Sequence, residues 1–455
     1  MLTARRSGNW HRWMAAGAIL AAAACGPPAG ADRLALVGAT LIDGTGAAPV
    51  RNAIVIVHGA TIEAAGPAGQ VSVPKGAEEI DLAGRWILPG FIDADVRAEA
   101  WALPRYLAFG VTAVRDLGTA TDSIQDLAQQ TSINLIIGPR IYYSGTPIGV
   151  PGSGSGSLAS SAAVRRAVDQ LSVAGTDYIM IHTRVAPNML RAIMDEAGSF
   201  ELPVVATLGM TDAVAAAKAG VASIERLSGI AQSASGSPAA LFAAYRRGFD
   251  RGWTREEKSW SRLRRGSIDR VAHTLAASGV SLTPTLALHE AVANLDDASR
   301  TPRPPAGVVP AEIAAEWDGR AIMRERGWTA ADLRAFRQGR AAQDHFVVTY
   351  HSFGGRLGVG TSSPGPWLIP GQSLHRELAL LVAAGLSPME AIVRATSGNA
   401  AILQADSLGI IAPGKSADLV ILTANPLADI HNSESIENVM VRGNLLLVET
   451  ITSRW

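Results

Sequence analysis

Cysteine is all but missing from this chain of 455 residues: Cys25 is the only one. No intrachain disulfide can form, so the core alone must hold the fold together. Net charge is missing too. Lys+Arg and Asp+Glu number 40 each, so nothing global favours nucleic acid or an anionic membrane as partner, and partners must be argued locally. A membrane-spanning run is also lacking, since the apolar stretch 13–24 is too short to cross a bilayer convincingly as a helix. What the chain has in quantity is apolar residues, 48% of the total. At this length that suffices for one large α/β domain plus a smaller one.

The stretch 13–24 has a different use. Arg5, Arg6 and Arg12 precede it, and small residues, Cys25 and a Gly/Pro-rich linker follow, which is the layout of a secretory signal. The expectation is an exported protein of the periplasm or cell envelope. Ala22-Ala23-Ala24-Cys25-Gly26 resembles a bacterial lipoprotein cleavage box, although such a box usually carries Leu where Ala22 stands. Cys25 is therefore the expected lipidation site, and lipid there the only expected membrane contact. The alternative is a cleaved Ala-x-Ala signal that leaves a soluble periplasmic protein.

Short strand-like stretches occupy 34–42, 54–57 and the neighbourhood of Ile62, Val71 and Ile80, and they recur at 418–422 and 439–448. Between them, strand-like runs alternate with helix-like ones, the pattern of parallel βα units. Eight such strands are expected, at 87–95, 112–117, 141–144, 178–182, 204–208, 223–227, 281–286 and 357–362. Eight is the number that a closed (β/α)8 barrel needs, and such barrels carry their working residues at the C-terminal strand ends. The Gly/Ser tract 152–156 reads as a mobile loop. Two helical insertions, about 232–270 and 290–344, flank the seventh strand and carry Trp253, Trp260, Trp317 and Trp328; insertions at these ends often form lids. The cluster Arg262, Arg264 and Arg265 reads as a solvated helix face.

Several motifs point to one family. Gly110-Val-Thr-Ala-Val-Arg-Asp-Leu-Gly118, Ser373-Leu-His-Arg-Glu-Leu378, Ala395-Thr-Ser-Gly-Asn399, Gly409-Ile-Ile-Ala-Pro-Gly-Lys-Ser-Ala-Asp-Leu-Val420 and Asn425-Pro-Leu-Ala-Asp-Ile430 resemble the amidohydrolase superfamily. The likeness is greatest to its imidazolonepropionase-like and prolidase-like branch, and it runs from Leu34 onward. It implies a (β/α)8 TIM-like barrel at 89–404, a small composite β-sandwich assembled from 33–88 and 405–455, and a signal peptide and linker at 1–32. It also implies hydrolysis of C–N bonds with one or two divalent metals, which activate a water and polarise the scissile carbonyl while a strand-eight Asp handles the proton.

The family's ligand positions are where this sequence departs from the pattern. The first strand of the family ends in Pro-Gly-apolar-Ile-Asp-x-His-x-His, whereas here it reads Pro89-Gly90-Phe91-Ile92-Asp93-Ala94-Asp95-Val96-Arg97. Alternate strand residues share a face, so a carboxylate and a guanidinium are aimed where two imidazoles would be. Arg cannot bind a metal. By the same resemblance Met180 stands at the bridging lysine, Thr207 at the strand-five histidine, Arg226 at the strand-six histidine and Ser362 at the strand-eight Asp. The expectation is that there is no metal and no other cofactor.

Asp95, Arg97 and Arg226 should converge on the vacated position. Their bland reading is an internal ion pair of Asp95 with Arg226 or Arg97; the functional one is a clamp for a carboxylate or carbonyl, with Asp95 as acid or base. His182 is a candidate titrating group, and Glu99 a loop partner for Arg97. Asp116 and His375 read as structural. Ser362 has no Gly-x-Ser-x-Gly or Ser-x-x-Lys flank and reads as a small filler. Three functions remain open: a protein that binds a small amide- or carboxylate-containing, possibly anionic ligand; a metal-independent hydrolase or lyase acting on a C–N or other carbonyl bond through Asp95, Arg97 and Arg226; and a structural envelope protein. Oligomers are compatible with all three, and nucleic acid is not expected.

Overall fold

The computed structural model describes residues 32–150, 158–297, 299, 304 and 307–453. The signal-like segment, Cys25 and the Gly/Ser tract 152–156 lie outside the described residues. Among those that are described, no helix is long and apolar enough to cross a membrane.

All eight expected barrel strands are present, and all run parallel. Phe91–Val96, Val111–Asp116 and Arg140–Tyr143 form one ladder; Ile179–Ile181, Val204–Ala206, Ser223–Glu225, Ser281–Thr283 and Arg356–Leu357 form the other. Single backbone hydrogen bonds join the two. Asp177 N–H donates to Tyr143 O at 2.9 Å and Ile148 N–H to Met180 O at 2.8 Å, while Ala94 N–H donates to Val359 O at 2.9 Å and Arg97 N–H to Ser363 O at 2.8 Å. The ring is thereby closed. Phe91–Val96 and Val111–Asp116 are buried at every position, as parallel strands between two layers must be. A helix follows each strand, and the longest, Ala330–Ser352, starts at a capping box between Thr329 and Asp332.

The terminal segments share one sheet. Its order is Asn444–Leu447, Ile436–Val441, Leu419–Leu422, Trp86–Pro89, Arg33–Leu41, Val50–His58 and Thr61–Pro67, with Glu78–Asp81 added beside Arg33–Leu41. It curls until its far edge meets the other end of the chain, where Ile62 N–H donates to Lys415 O at 2.8 Å and Ala417 N–H to Ala60 O at 2.9 Å. Leu36, Val55, Ile87, Leu419 and Met440 fill the enclosed core.

The expected strand 87–95 is in fact two. Trp86–Pro89 pairs with Leu419–Leu422 in the terminal sheet, and the barrel strand begins at Phe91. The chain crosses between them at Gly90, where a β-carbon would collide with the Thr112 side chain.

Two buried carboxyls tie the barrel mouth together. Asp93 accepts from Thr361 Oγ1 at 2.6 Å and Thr361 N–H at 3.0 Å, which links the first strand to the eighth. Glu377 accepts from the Leu286 and Ala287 N–H groups at 2.8 and 2.6 Å, the free donors at the start of helix Leu286–Ala293. Burial pushes the Asp93 pKa up to about 8 and that of Glu377 to about 7. A carboxyl whose pKa rises on folding stabilises the fold fully below its unfolded value, and this contribution is lost as pH rises through the folded one. The thermal midpoint is therefore expected to fall between about pH 5 and about pH 8.5, with a shallower fall in Asp93→Asn. Melting curves over that interval test this, and a midpoint that rose with pH would contradict it.

Candidate functional site

Asp95 leaves the first strand pointing into the barrel and is fully buried. Both its oxygens are taken by one guanidinium: Arg226 Nε donates to Oδ2 at 2.9 Å and Nη2 to Oδ1 at 3.0 Å. The fork matches the carboxylate edge, the strongest arrangement available to such a pair. Arg226 turns toward Asp95 because its backbone is left-handed, with φ of 62°, and Leu227 follows with φ of 54°. Thr285 and Ser362, past the seventh and eighth strands, share that conformation at φ of 50° and 60°. Non-glycine residues adopt it only where surrounding structure imposes it, and such residues cluster at functional sites.

A second ion pair lies in the barrel. Arg115 Nη2 donates to Glu225 Oε1 at 2.8 Å, with both side chains fully buried, and Arg115 Nε donates to Ala94 O at 2.6 Å. The Arg115 guanidinium also lies 5.7 Å from the Tyr178 ring centre. Burial and the nearby Asp95 charge raise the Glu225 pKa, while Arg115 opposes them.

Arg97 differs from both. Its side chain is exposed to the cleft, and among the described residues its guanidinium has no hydrogen-bonded or ionic partner. Enclosure and the neighbouring Arg226 charge lower its pKa from the ordinary arginine value, without discharging it. Glu99 does not answer it. That carboxylate instead accepts from Trp101 Nε1 at 2.6 Å.

The cleft encloses about 450 Å³. Arg97, His182, Thr207, Arg226 and Ser362 line its barrel side, so five of the seven positions singled out by sequence meet there. Asp95 reaches it only through Arg226. Met180 does not line it, and packs instead against Leu117, Tyr178 and Val205. Among the described residues the Thr207 hydroxyl is buried without a partner. His182 sits against Phe249, with ring centres 5.4 Å apart. Burial first, and then Arg226 and Arg97, pull its pKa down to about 3, so it is neutral at physiological pH and titrates well below the range expected of it.

The opposite wall comes from the insertions. Phe249, Trp253, Glu256 and Glu257 on helix Phe249–Ser259 face the cleft, joined by Ile322 and Trp328. Glu256 accepts from Gly229 N–H at 2.9 Å and from the Tyr245 hydroxyl, and burial lifts its pKa to about 7. Glu257 lies 3.1 Å from His289 Nδ1, and His289 Nε2 lies 3.2 Å from the backbone oxygen of Arg226. The roof is thus tied to the residue that holds Asp95. Sequence reading marked Trp253 and Trp328 but overlooked the two glutamates and His289, whose neighbours are fixed only by tertiary packing.

The sequence model of the amidohydrolase family matches residues 86–446. The chain belongs to the amidohydrolase family. No curated protein matches this amidohydrolase-family chain. Among solved structures it is similar to a candidate prolidase from Bifidobacterium longum, at 25% identity over 93% of this chain and 99% of that one, with a TM-score of 0.69. It is also similar to a bottromycin amidohydrolase, at 20% identity over 92% and 88% of the two chains with a TM-score of 0.70. A Xaa-Pro dipeptidase with methionine bound in its active site shares 19% identity over 91% of this chain and 100% of its own, with a TM-score of 0.65. At such identities these last two show the fold alone.

The side chains in this cleft do not fit the divalent metals of the family. Asp95 has no oxygen free of Arg226, and two guanidiniums repel a cation where ligands would have to stand. Among the described residues no three His, Cys, Asp or Glu side chains converge on a possible ion position.

Two predictions follow from this geometry. Asp95→Leu and Arg226→Met each strand a buried charge and should cost about 3–5 kcal/mol, whereas the double variant should cost far less than their sum; additive losses in denaturant titrations would show the pair to be uncoupled. The His182 ring resonances should stay flat between about pH 5 and about pH 8 in an NMR titration, and an inflection near pH 6.5 would remove the electrostatic account of that residue.

Proposed function

We propose that this amidohydrolase-family protein has given up the metal centre and binds a small carboxylate- or amide-containing ligand at the barrel mouth, without conventional metal-assisted hydrolysis. The observation that carries the proposal is the contrast between the two arginines. Arg226 is neutralised by Asp95, while Arg97 stands in the same cleft with its charge unmatched among the described residues. An unmatched guanidinium in a confined cavity, beside a Thr207 hydroxyl without a partner among the described residues, suits a single carboxylate or a polarised carbonyl oxygen. Trp253, Trp328 and Phe249 supply apolar surface for the rest of the molecule. Export, and a lipid at Cys25 that holds the protein to the cell envelope, complete the reading; both rest on the sequence of the leader. A purely structural envelope role leaves the uncompensated Arg97 unexplained.

A second reading, a metal-independent enzyme cleaving a C–N or other carbonyl bond, draws support from Glu256, a cleft carboxyl with a pKa of about 7, suited to general acid–base work at neutral pH. Asp95 is poorly placed for that task, since both its oxygens are occupied.

Calorimetric titration with small carboxylates and N-acyl amino acids tests the first reading. Binding is expected for the wild type, and Arg97→Ala should weaken it roughly 10- to 100-fold, the worth of one hydrogen bond to a charged group. Unchanged affinity would remove Arg97 from the site. Appearance of free amine in the same samples, lost in Glu256→Gln, would favour the enzyme instead.

A further inference from the structure

The helix Phe249–Ser259, extended by the short turn Trp260–Arg262, separates its charges by face. Glu256 and Glu257 are buried against the barrel mouth. Arg251, Arg255, Lys258 and Arg262 recur at spacings of four, three and four, which places them on one outward stripe. A groove of about 890 Å³ runs between this stripe and the turn at 324–328, and Arg247, Arg324 and Arg326 also line it. Three carboxylates reach the groove. Asp332 holds Lys258 at 2.6 Å, Asp250 holds Arg326, and Glu325 is exposed. Among the described residues Arg247, Arg251, Arg255, Arg262 and Arg324 have no acidic partner. On a chain with no net charge, this is a concentrated positive field.

We infer that the groove docks an extended acidic peptide segment of a partner protein. The stripe repeats every ~4.5 to ~6 Å, the rise of three or four helical residues. Side chains on one face of an extended strand repeat at roughly 6.8 Å, so a peptide with acidic residues at alternate positions can follow it, with the long arginine and lysine side chains taking up the remaining ångström or two per step. The groove has two walls, which suits a chain rather than a flat bilayer. Among the described residues the large exposed apolar side chains, Ile133, Leu135, Val173, Phe200, Phe353 and Leu447, all lie elsewhere in the sequence, so the groove residues offer a membrane no insertion. It offers nucleic-acid bases no stacking platform either. Trp328, the one aromatic side chain lining it, is half-buried, donates from Nε1 to Thr254 Oγ1 at 2.7 Å and packs on Trp253 and Phe336.

The test is fluorescence anisotropy on the full chain with a labelled Glu-Ser repeat of about ten residues, long enough to cover the stripe. Single-stranded oligonucleotide and anionic-lipid vesicles are run in parallel. The peptide should bind at an ionic strength of about 0.05 M and be released at about 0.5 M. Arg251→Glu/Arg255→Glu should weaken it at least tenfold with the thermal midpoint unchanged. Arg264→Glu/Arg265→Glu, an equal charge reversal at exposed positions outside the groove, should leave it within about twofold. The inference is overturned by an absence of saturable peptide binding, by equal losses in the two double variants, or by capture of the oligonucleotide or vesicles in preference to the peptide.

Discussion

The mouth of this barrel is organised by the two-pronged bond between Asp95 and Arg226. A buried carboxylate with no counter-charge would be intolerable at this depth, and an unpaired guanidinium nearly so; together they are admissible. The bond takes up both oxygens of Asp95. It also cancels the charge of Arg226. On the barrel side of the cleft that leaves Arg97 as the guanidinium without an acidic partner among the described residues. Arg115 and Glu225 repeat the solution elsewhere in the barrel interior, so two rungs of opposite charge cross it.

Much of this was legible in sequence because strands at barrel ends obey a strict periodicity. The eight strands followed from alternating apolar runs, and the meeting of Arg97, Thr207, Arg226 and Ser362 followed from their places at strand ends. What was not legible depended on contacts between distant segments. Nothing local shows that the strand at 87–95 divides, because the cause is that its two parts pair with different, distant strands, Leu419–Leu422 and Val111–Asp116. The resemblance put Met180 at a ligand position, but its packing with Tyr178, Leu117 and Val205 keeps it out of the cleft lining. Glu99 looked like a partner for Arg97 by spacing, yet the indole of Trp101 is nearer. His182 shows the same limit: its identity suggests a proton carrier, and burial, helped by two guanidiniums that only the fold brings close, keeps it neutral.

The insertion after the sixth strand gives the cleft its roof, and it couples the roof to the floor. Glu257, His289 and the backbone of Arg226 form one continuous chain of contacts, so the helix cannot lift without disturbing the residue that pairs with Asp95. The left-handed backbone at Arg226 and Leu227 is held from above by this chain and from within by the carboxylate. The placement of the Arg226 guanidinium is a property of roof and barrel together.

The terminal sheet has a bearing on how the molecule comes into being. Trp86–Pro89, which leads directly into the first barrel strand, is wedged between Arg33–Leu41 and Leu419–Leu422, segments from opposite ends of the sequence. A chain emerging from the ribosome can assemble successive βα units, but it cannot seat this strand until nearly everything else has been made. Ring closure and sheet completion are therefore late, long-range events, and such pairings are slow because loop entropy must be overcome before they form. Until then the ladder edges at the barrel seam lack their partners, and how long they wait is set by the position of four residues.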